Sequence, residues 1–358
     1  MILSIFSFKL NKKGSFLQLV RNEKEEVTLR RSKRRRKQSW WMRGFLWALL
    51  LVALCEAFIF RNPALYGMSP ASFIGQITDV EKRLESQNTA KIKLLVLGDS
   101  QSMDALRPPL LAARYGLKPD EVFNLSISGG KAVDMLHLYE KHKQDLPNLQ
   151  HVIISVNEHQ LNASTDFSDN KFRYHATLAE RLQVPHFENK MDLAFGWLLY
   201  SYGLREVWTE MAKLYWEDKL PQPPRDQYKY KWGLPPVEAR EANHLGPAYA
   251  AEVAKRWMRD YQLKGVETNA LERLMKELSK QGVSFTVVQL PRTQAFETIM
   301  KKQYASEQAA YRHLVGELST RYNGRFIIIP PTLDDSYFRD ANHVNKKGAE
   351  KITAELSL

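Results

Sequence analysis

The fold is decided by the segment KIKLLVLGDSQS at Lys91–Ser102. Residues Ile92–Leu97 form a short apolar run that is broken only by Lys93, and such a run is typical of a buried strand in a parallel sheet. Gly98 then lets the chain turn, and Ser100 opens the following helical segment. Sites in open α/β sheets lie beyond the carboxyl ends of the strands, where helix N-terminal amides favour negative charge. The segment therefore predicts a parallel sheet with a candidate serine nucleophile at one edge.

The same pattern continues downstream. Further apolar, strand-like runs lie at Glu121–Leu125, His151–Val156, Val283–Leu290 and Arg325–Ile329. Helical patterns lie at residues 104–115, 132–143, 268–280, 306–322 and 346–356. This alternation favours one α/β domain over residues 91–358, with a parallel sheet covered on both faces.

Two of these strands are followed by residues that donate hydrogen bonds. The motif NLSISG at Asn124–Gly129 ends in a glycine, which allows a backbone N–H to approach an oxyanion closely. The motif SVNE at Ser155–Glu158 places the side-chain amide of Asn157 at the same sheet edge as Ser100. Taken alone, each motif is equally compatible with an ordinary turn or a helix cap.

The motif DANH at Asp340–His343 precedes the last predicted helix. An aspartate three residues before a histidine can accept the imidazole Nδ1–H, which leaves Nε2 free to take a serine proton. A surface turn or half of a metal site is the alternative, but the other eight histidines show no ligand spacing with His343. Ser100 is the preferred nucleophile because Ser102 lies deeper in the predicted helix. No metal and no cofactor are expected.

Together, the four motifs resemble those of the SGNH (GDSL-type) hydrolase superfamily. The resemblance covers residues 91–160 and 266–358, and it implies a flavodoxin-like three-layer fold. It also implies that Ser100 is the nucleophile and that His343, oriented by Asp340, is the general base. The backbone N–H groups of Ser100 and Gly129 and the side chain of Asn157 would then form the oxyanion hole. The third motif departs from the usual Gly-x-Asn-Asp of the family.

More than 100 residues, about 160–266, interrupt the pattern between the third and fourth predicted strands. A segment of this length inside a compact domain is usually functional or a subdomain of its own. It is rich in aromatic residues: Trp197, Tyr200, Tyr202, Trp208, Tyr215, Trp216, Tyr228, Tyr230 and Trp232. We interpret it as an inserted, mainly helical cap. Its aromatic side chains would either stack on sugar rings or simply pack the cap.

The charge of the chain is concentrated at one end. The formal net charge is +12, and residues 1–43 hold thirteen Lys or Arg and three Glu. The rest of the chain is almost neutral, which argues against nucleic-acid binding. Residues 1–43 are therefore predicted to be a disordered, basic cytoplasmic tail.

Residues 44–60 (GFLWALLLVALCEAFIF) are long enough to span a bilayer. The basic residues before them predict an N-terminus in the cytoplasm and an extracytoplasmic C-terminal domain. We expect an uncleaved signal anchor, with a cleaved signal peptide or a buried core helix as alternatives. The only cysteine, Cys55, lies inside this segment, so the exported domain has no disulfide. Translation starts at Met1 or at Met42.

Residues 61–90 are predicted to be a connector. Phe73, Ile77, Val80 and Leu84 recur in it at helical spacing, which indicates a short amphipathic helix. This helix would either pack on the domain or stand as a stalk.

The membrane anchor narrows the function that the resemblance implies. An anchored SGNH-like domain with a large insertion is similar to proteins of alginate O-acetylation and of teichoic acid D-alanylation. The similarity implies an acyltransferase component that O-acylates, and most simply acetylates, a cell-envelope polysaccharide through Ser100. Its partner would be a polytopic membrane-bound O-acyltransferase. The alternatives are a membrane-anchored esterase or deacetylase, and a non-catalytic binding partner of that acyltransferase.

Overall fold

The computed structural model describes residues 40–70, 72–222, 246–330 and 333–357. The chain forms two units, residues 1–61 and residues 62–358. The described part of the first unit contains helix α1 (Trp40–Phe60), which is long and apolar enough to cross a membrane. Only 6% of its most apolar stretch is buried, which does not fit the alternative of a buried core helix. The predicted basic tail lies outside the described residues up to residue 39.

The second unit is built on one sheet of five parallel strands. The strands are β1 (Leu94–Leu97), β2 (Val122–Asn124), β3 (His151–Ser155), β4 (Ser284–Gln289) and β5 (Arg325–Ile328). Their spatial order is β2-β1-β3-β4-β5, and every neighbouring pair is parallel. The prediction of an α/β protein with a parallel sheet is therefore confirmed. The order reverses between β1 and β3, where doubly wound sheets open a crevice at the carboxyl ends of their strands.

Fifteen helices surround this sheet in the described part of the unit. They are α2 (Pro63–Tyr66), α3 (Phe73–Glu85), α4 (Ser100–Ala105), α5 (Pro108–Tyr115), α6 (Ala132–His142), α7 (Asn170–His175), α8 (Leu178–Arg181), α9 (Phe187–Leu198), α10 (Tyr200–Gly203), α11 (Arg205–Trp216), α12 (Pro247–Trp257), α13 (Val266–Lys280), α14 (Gln294–Gln303), α15 (Ala305–Arg321) and α16 (Lys346–Glu355).

Both faces of the sheet are covered, although the edge strand β5 stays partly exposed. Successive side chains of a strand point to opposite sides. Leu95 and Leu97 of β1 pack into a core with helices α3, α6, α13 and α15. Leu94 and Val96 pack into a second core with helices α5 and α16. The result is a three-layer arrangement in which the strands read as continuous apolar runs.

The segment predicted as one helix at residues 104–115 forms two helices. Helix α4 already begins at Ser100, because the Asp99 carboxylate accepts the backbone N–H of Gln101 at 2.9 Å and so caps the helix. Pro108 at the first position of α5 forces a new start, since the residue before a proline disfavours the helical conformation. Helix α14, capped by the Thr293 side chain, was not among the predicted elements.

The connector does not stand as a stalk. Ile77, Val80 and Leu84 of α3 are at most 1% exposed and belong to the core beneath the sheet. The compact unit starts at Asn62, so most of the predicted connector is part of the folded domain.

The insertion between β3 and β4 is helical where it is described. Residues 160–222 and 246–266 contain helices α7 to α12 and no strand, in agreement with a mainly helical insertion. Three of its aromatic residues, Tyr228, Tyr230 and Trp232, lie outside the described residues.

Candidate active site

The structure brings the predicted serine, histidine and aspartate into one hydrogen-bonded chain. The Ser100 Oγ atom lies 2.8 Å from Nε2 of His343. Nδ1 of the same imidazole lies 2.9 Å and 2.8 Å from the two carboxylate oxygens of Asp340. Ser100 and His343 are 243 positions apart in sequence, and they meet because α16 packs on α4. A hydroxyl, an imidazole and a carboxylate in this order can activate the serine as a nucleophile.

The loop before α16 holds Asp340 in place through its own backbone. One carboxylate oxygen accepts the N–H groups of Asn342 and His343 at 3.0 and 2.8 Å. The pKa of Asp340 is about 2, because the hydrogen bond and charge of His343 outweigh the burial that would raise it. Asp340 is therefore ionised at neutral pH and can accept Nδ1–H of His343.

The same contacts act on the histidine with the opposite sign. Burial favours the neutral imidazole, but the hydrogen bond and charge of Asp340, together with the charge of Asp104, outweigh it. The pKa of His343 therefore lies above its ordinary value of 6.5. This environment stabilises the protonated form of His343.

Two backbone N–H groups beside Ser100 have no acceptor among the described residues. They belong to Ser100, the first residue of α4, and to Gly129, and both residues line one cavity. Gly129 has a φ of +63°, a conformation that favours glycine. Gly98, just before the helix, sits so close to Ser102 and Ser155 that a side chain would not fit. Free N–H donors at a helix N-terminus are suited to bind an oxyanion.

Asn157 lies at the end of β3, where the sequence predicts it, but its amide is already engaged. Its Nδ2 donates to Oε1 of Gln101 at 2.5 Å, and the side chain is 1% exposed. Gln101 also donates from Nε2 to the carbonyl of Asn342 at 3.0 Å. Gln101 thus connects the serine helix, the Asn157 motif and the histidine loop. An amide carries two hydrogens, so one N–H of Asn157 is left over; its role in an oxyanion hole stays a prediction.

A buried ion pair supports the Asn157 turn from below. The Glu158 carboxylate accepts hydrogen bonds from Arg292 at 2.8 Å and from Gln289 and Gln308, each at 3.0 Å. Arg292 also contacts Glu297 at 2.7 Å, and both Glu158 and Arg292 are at most 1% exposed. Burial alone would raise the pKa of Glu158, but the charge of Arg292 keeps it below its ordinary value. The glutamate that departs from the family motif is therefore a structural charge.

Ser100 and His343 open into a cavity of about 360 Å³. Its lining includes aromatic side chains, basic side chains and the site residues: Phe73, Asp99, Ser100, Ser128, Gly129, Lys131, His159, Tyr249, Val253, Arg256, Trp257, Asn342 and His343. Helix α12 of the insertion supplies four of these residues. The cavity places Ser100 beside a wall that can contact the ring and the polar groups of a small molecule.

His159 lines the cavity and was not among the site residues predicted from the sequence, because it shows no ligand spacing with His343. Its Nε2 lies 3.1 Å from the Asp99 carboxylate, and its ring stacks on Trp257 with centroids 3.8 Å apart. Its position two residues after Asn157 was the signal that could have found it. Trp257 and Tyr249 gave no such signal, since their sequence neighbourhoods carry no motif. Gln101 directly follows Ser100, but nothing in the sequence marks it as a contact of Asn157.

The alternative nucleophile Ser102 is fully buried. Its Oγ lies 2.7 Å from the carbonyl oxygen of Asp99 and 2.8 Å from Oγ of Ser126. The aromatic residues predicted for the cap do not line the cavity where they are described, since its aromatic lining comes from Phe73, Tyr249 and Trp257. No group of three or more His, Cys, Asp or Glu side chains within the described ranges is placed to hold a metal ion.

No protein-family model matches this chain, and no curated protein sequence matches it. The site described above therefore rests on the residues and their geometry.

Proposed function

We propose that this protein is a membrane-anchored, SGNH-type serine acyltransferase component that O-acylates a cell-envelope polysaccharide. The observation that carries the proposal is the chain from Ser100 Oγ to His343 Nε2 at 2.8 Å and from His343 Nδ1 to Asp340. The strand order 2-1-3-4-5, which is flavodoxin-like, and the place of the serine after β1 support an SGNH-type fold. A non-catalytic scaffold would have no use for this contact.

In the first step, Ser100 Oγ attacks the carbonyl carbon of an acyl ester or thioester donor. His343 Nε2 takes the serine proton while Asp340 accepts Nδ1–H and stabilises the imidazolium. The negative charge on the carbonyl oxygen meets the N–H groups of Ser100 and Gly129 and the remaining N–H of Asn157. One such donor contributes about 3–4 kcal/mol to transition-state stabilisation. The bond to the leaving group breaks, and His343 returns the proton to that group.

In the second step, a hydroxyl of the acceptor attacks the acyl-Ser100 ester. His343 Nε2 removes the hydroxyl proton, the tetrahedral intermediate collapses, and the proton passes to Ser100 Oγ. A sugar hydroxyl yields the O-acylated polymer, whereas water yields the free acid. The aromatic and basic lining of the cavity, with Tyr249, Trp257 and Arg256, favours a sugar over water as the group held there.

The membrane part of the proposal places residues 44–60 across the bilayer, the N-terminus in the cytoplasm and residues 62–358 outside. The length and composition of α1 support a membrane span. The basic residues before it favour this orientation. The acyl donor would then come from a polytopic membrane-bound O-acyltransferase in the same membrane.

The full chain, reconstituted in detergent micelles, tests the acyl chemistry. We would incubate it with p-nitrophenyl acetate and measure the mass of the peptide that contains Ser100. An acetyl adduct in the native chain and in Ser128→Ala, but not in Ser100→Ala, is the expected result. Ser128 is a matched control because it lines the same cavity without contacting His343. No adduct under any condition, including added membrane partner, would contradict the proposal.

The same preparation separates transfer from hydrolysis, which is the alternative function. Adding an envelope glycan should shorten the lifetime of the acetyl adduct and move the acetyl group to the glycan. A lifetime that is set by water alone, with acetate as the only product, would make the protein an esterase or deacetylase.

A further inference from the structure

One region of the second unit carries nearly all of its exposed apolar side chains. In the described part of that unit, ten large apolar residues are exposed, and eight of them lie between residues 182 and 216. Solvent-facing apolar residues are normally scattered singly, and a concentrated patch indicates a binding surface. This patch belongs to helices α8 to α11 of the insertion and does not line the cavity at Ser100.

The centre of the patch is a continuous row along α9. Phe187, Met191, Phe195 and Leu198 are 71%, 53%, 49% and 60% exposed, and their spacing places them on one face of the helix. We call this row the apolar stripe. The opposite face of α9 carries Leu193, which is fully buried. Helix α9 therefore has two apolar sides. One side packs on the domain, and the other side is exposed.

The stripe is part of a packed group of helices rather than a loose element. The ring of Phe195 meets that of Tyr202 in α10 at 5.1 Å, and Asp192 accepts the Tyr202 hydroxyl. Gly196 and Gly203 let the backbones of α9 and α10 approach so closely that a side chain on either would collide. The stripe is thus held in a fixed position relative to α10 and α11.

The same group of helices holds the start of the folded unit. Tyr66 in α2 is fully buried against Leu204, Val207 and Met211, and its ring lies 5.1 Å from that of Trp208. Only residues 61 and 62 separate the end of α1 from α2, a distance of at most about 10 Å. The headgroup layer of a bilayer is about 5–8 Å deep. If α1 spans the membrane, this short connection keeps the start of α2 close to the membrane surface.

We infer that the apolar stripe docks into the interface of the bilayer in which α1 is anchored. The inference rests on the membrane anchoring in the proposed function. Amphipathic helices bury an apolar face at the boundary between headgroups and acyl chains. Residues 178–220 contain five Lys or Arg and seven Asp or Glu, so attraction to anionic lipid does not drive the contact. The docking is apolar, and it is therefore independent of salt and of anionic lipid.

This docking has a consequence for the site. Phe73 lines the cavity at Ser100, and it also lines a second, apolar cavity of about 250 Å³ with Val207 and Met211 of α11. The active-site wall and the membrane-facing helices therefore share a side chain. A docked stripe would hold the cavity at a constant height above the bilayer, close to a donor that is delivered from the membrane.

Fluorescence quenching on the full chain in phosphatidylcholine liposomes tests the inference. Cys55→Ser gives a cysteine-free background, in which single cysteines at Met191 and Leu198 carry the NBD fluorophore. A label at Glu317, half exposed on α15, is the matched control outside the patch, and a label at Leu50 reports on the anchor. Each sample is titrated with doxyl-labelled lipid and with aqueous iodide.

We expect the labels at Met191 and Leu198 to be quenched by shallow doxyl lipid and protected from iodide, with the reverse for Glu317. About 0.5 M salt should change neither result. If iodide quenches the stripe labels while doxyl lipid quenches the Leu50 label, docking is overturned and the membrane anchor is kept. Stripe labels shielded from both quenchers would mean that protein and not lipid covers the stripe, which also overturns docking. If no label is quenched by lipid, anchoring and docking fail together, whereas quenching of the stripe labels alone supports docking without the anchor.

Discussion

The two sides of the cavity are built from different parts of the chain. One side carries the proposed catalytic residues Ser100, Asp340 and His343, and we call it the catalytic side. It is formed by two short motifs whose residues hydrogen-bond to their own loops. The facing wall, with His159 and Trp257, brings together the end of β3 and a helix of the insertion about 100 residues later. The difference indicates that the chemistry is specified locally, whereas the substrate surface depends on packing between distant segments.

The largest effect should come from the catalytic side. His343→Ala removes the only group in the described part of the chain that hydrogen-bonds to Ser100 Oγ and can accept its proton. Loss of such a base lowers kcat by roughly 10⁶-fold in serine hydrolases. The rate of p-nitrophenyl acetate hydrolysis by the folded variant measures this fall in kcat. A loss of less than tenfold would mean that Ser100 does not act through His343.

The next effect concerns the orientation of the base. Asp340→Asn keeps the shape of the loop but removes the charge that accepts Nδ1–H of His343. The imidazole then adopts the wrong tautomer, and kcat should fall about 10⁴-fold. The burst amplitude and the steady-state rate of p-nitrophenyl acetate hydrolysis measure this fall in kcat. An unchanged far-UV circular dichroism spectrum shows that the variant is folded. Near-native activity would show that Asp340 only shapes the loop.

A third effect separates stability from chemistry. Arg292→Met leaves the Glu158 carboxylate buried without its partner. Removing one member of a buried pair costs about 3–5 kcal/mol, so chemical denaturation should reveal a large loss of unfolding free energy. Arg321→Met breaks a solvent-exposed pair with Glu272 and is the control, for which we expect little change. Equal stabilities of the two variants would remove the argument that Glu158 is a structural charge.

A smaller effect should come from the wall. Trp257→Ala removes the ring on which His159 stacks and opens one side of the cavity. We expect KM for a glycan acceptor to rise roughly tenfold while kcat for p-nitrophenyl acetate changes little. Trp257→Phe keeps an aromatic ring and should restore much of the affinity. A loss confined to kcat would instead assign the stack to the chemistry.

The sequence predicts the sheet and the proximity of Ser100, Asp340 and His343 well, for a physical reason. Buried parallel strands are continuous apolar runs, and strand ends are marked by turn residues such as Gly98. The wall is not predictable in this way, because the contact between His159 and Trp257 has no local periodicity. The same holds for Gln101, whose bonds to Asn157 and Asn342 join three motifs that are far apart in sequence.

Two features were predicted less well: the ends of the helices near residues 104–115 and the place of the insertion aromatics. The helix at residues 104–115 was predicted from its apolar periodicity, which does not register that Asp99 caps a helix at Ser100 or that Pro108 starts another. The insertion aromatics were expected either to stack on sugar rings or to pack the cap. In the described region they pack between helices or face outward, and α12 supplies the cavity with Tyr249 and Trp257 instead.

The smallest effect is a shift in pH dependence. His343 must be neutral to accept the proton of Ser100, so kcat/KM falls as the pH drops through its pKa. Burial lowers that pKa, but Asp340 and, more weakly, Asp104 raise it above 6.5, so the acid limb should have its midpoint above pH 6.5. Asp104→Asn removes the weaker of these charges while His343 keeps its bond to Asp340. The midpoint should therefore move to lower pH by a small amount, with the plateau rate nearly unchanged.

Asp120→Asn, at an exposed pair with Lys91, is the control and should leave the profile in place. An acid limb at or below pH 6.5 in the native chain would mean that burial, not the carboxylates, governs the titration of His343.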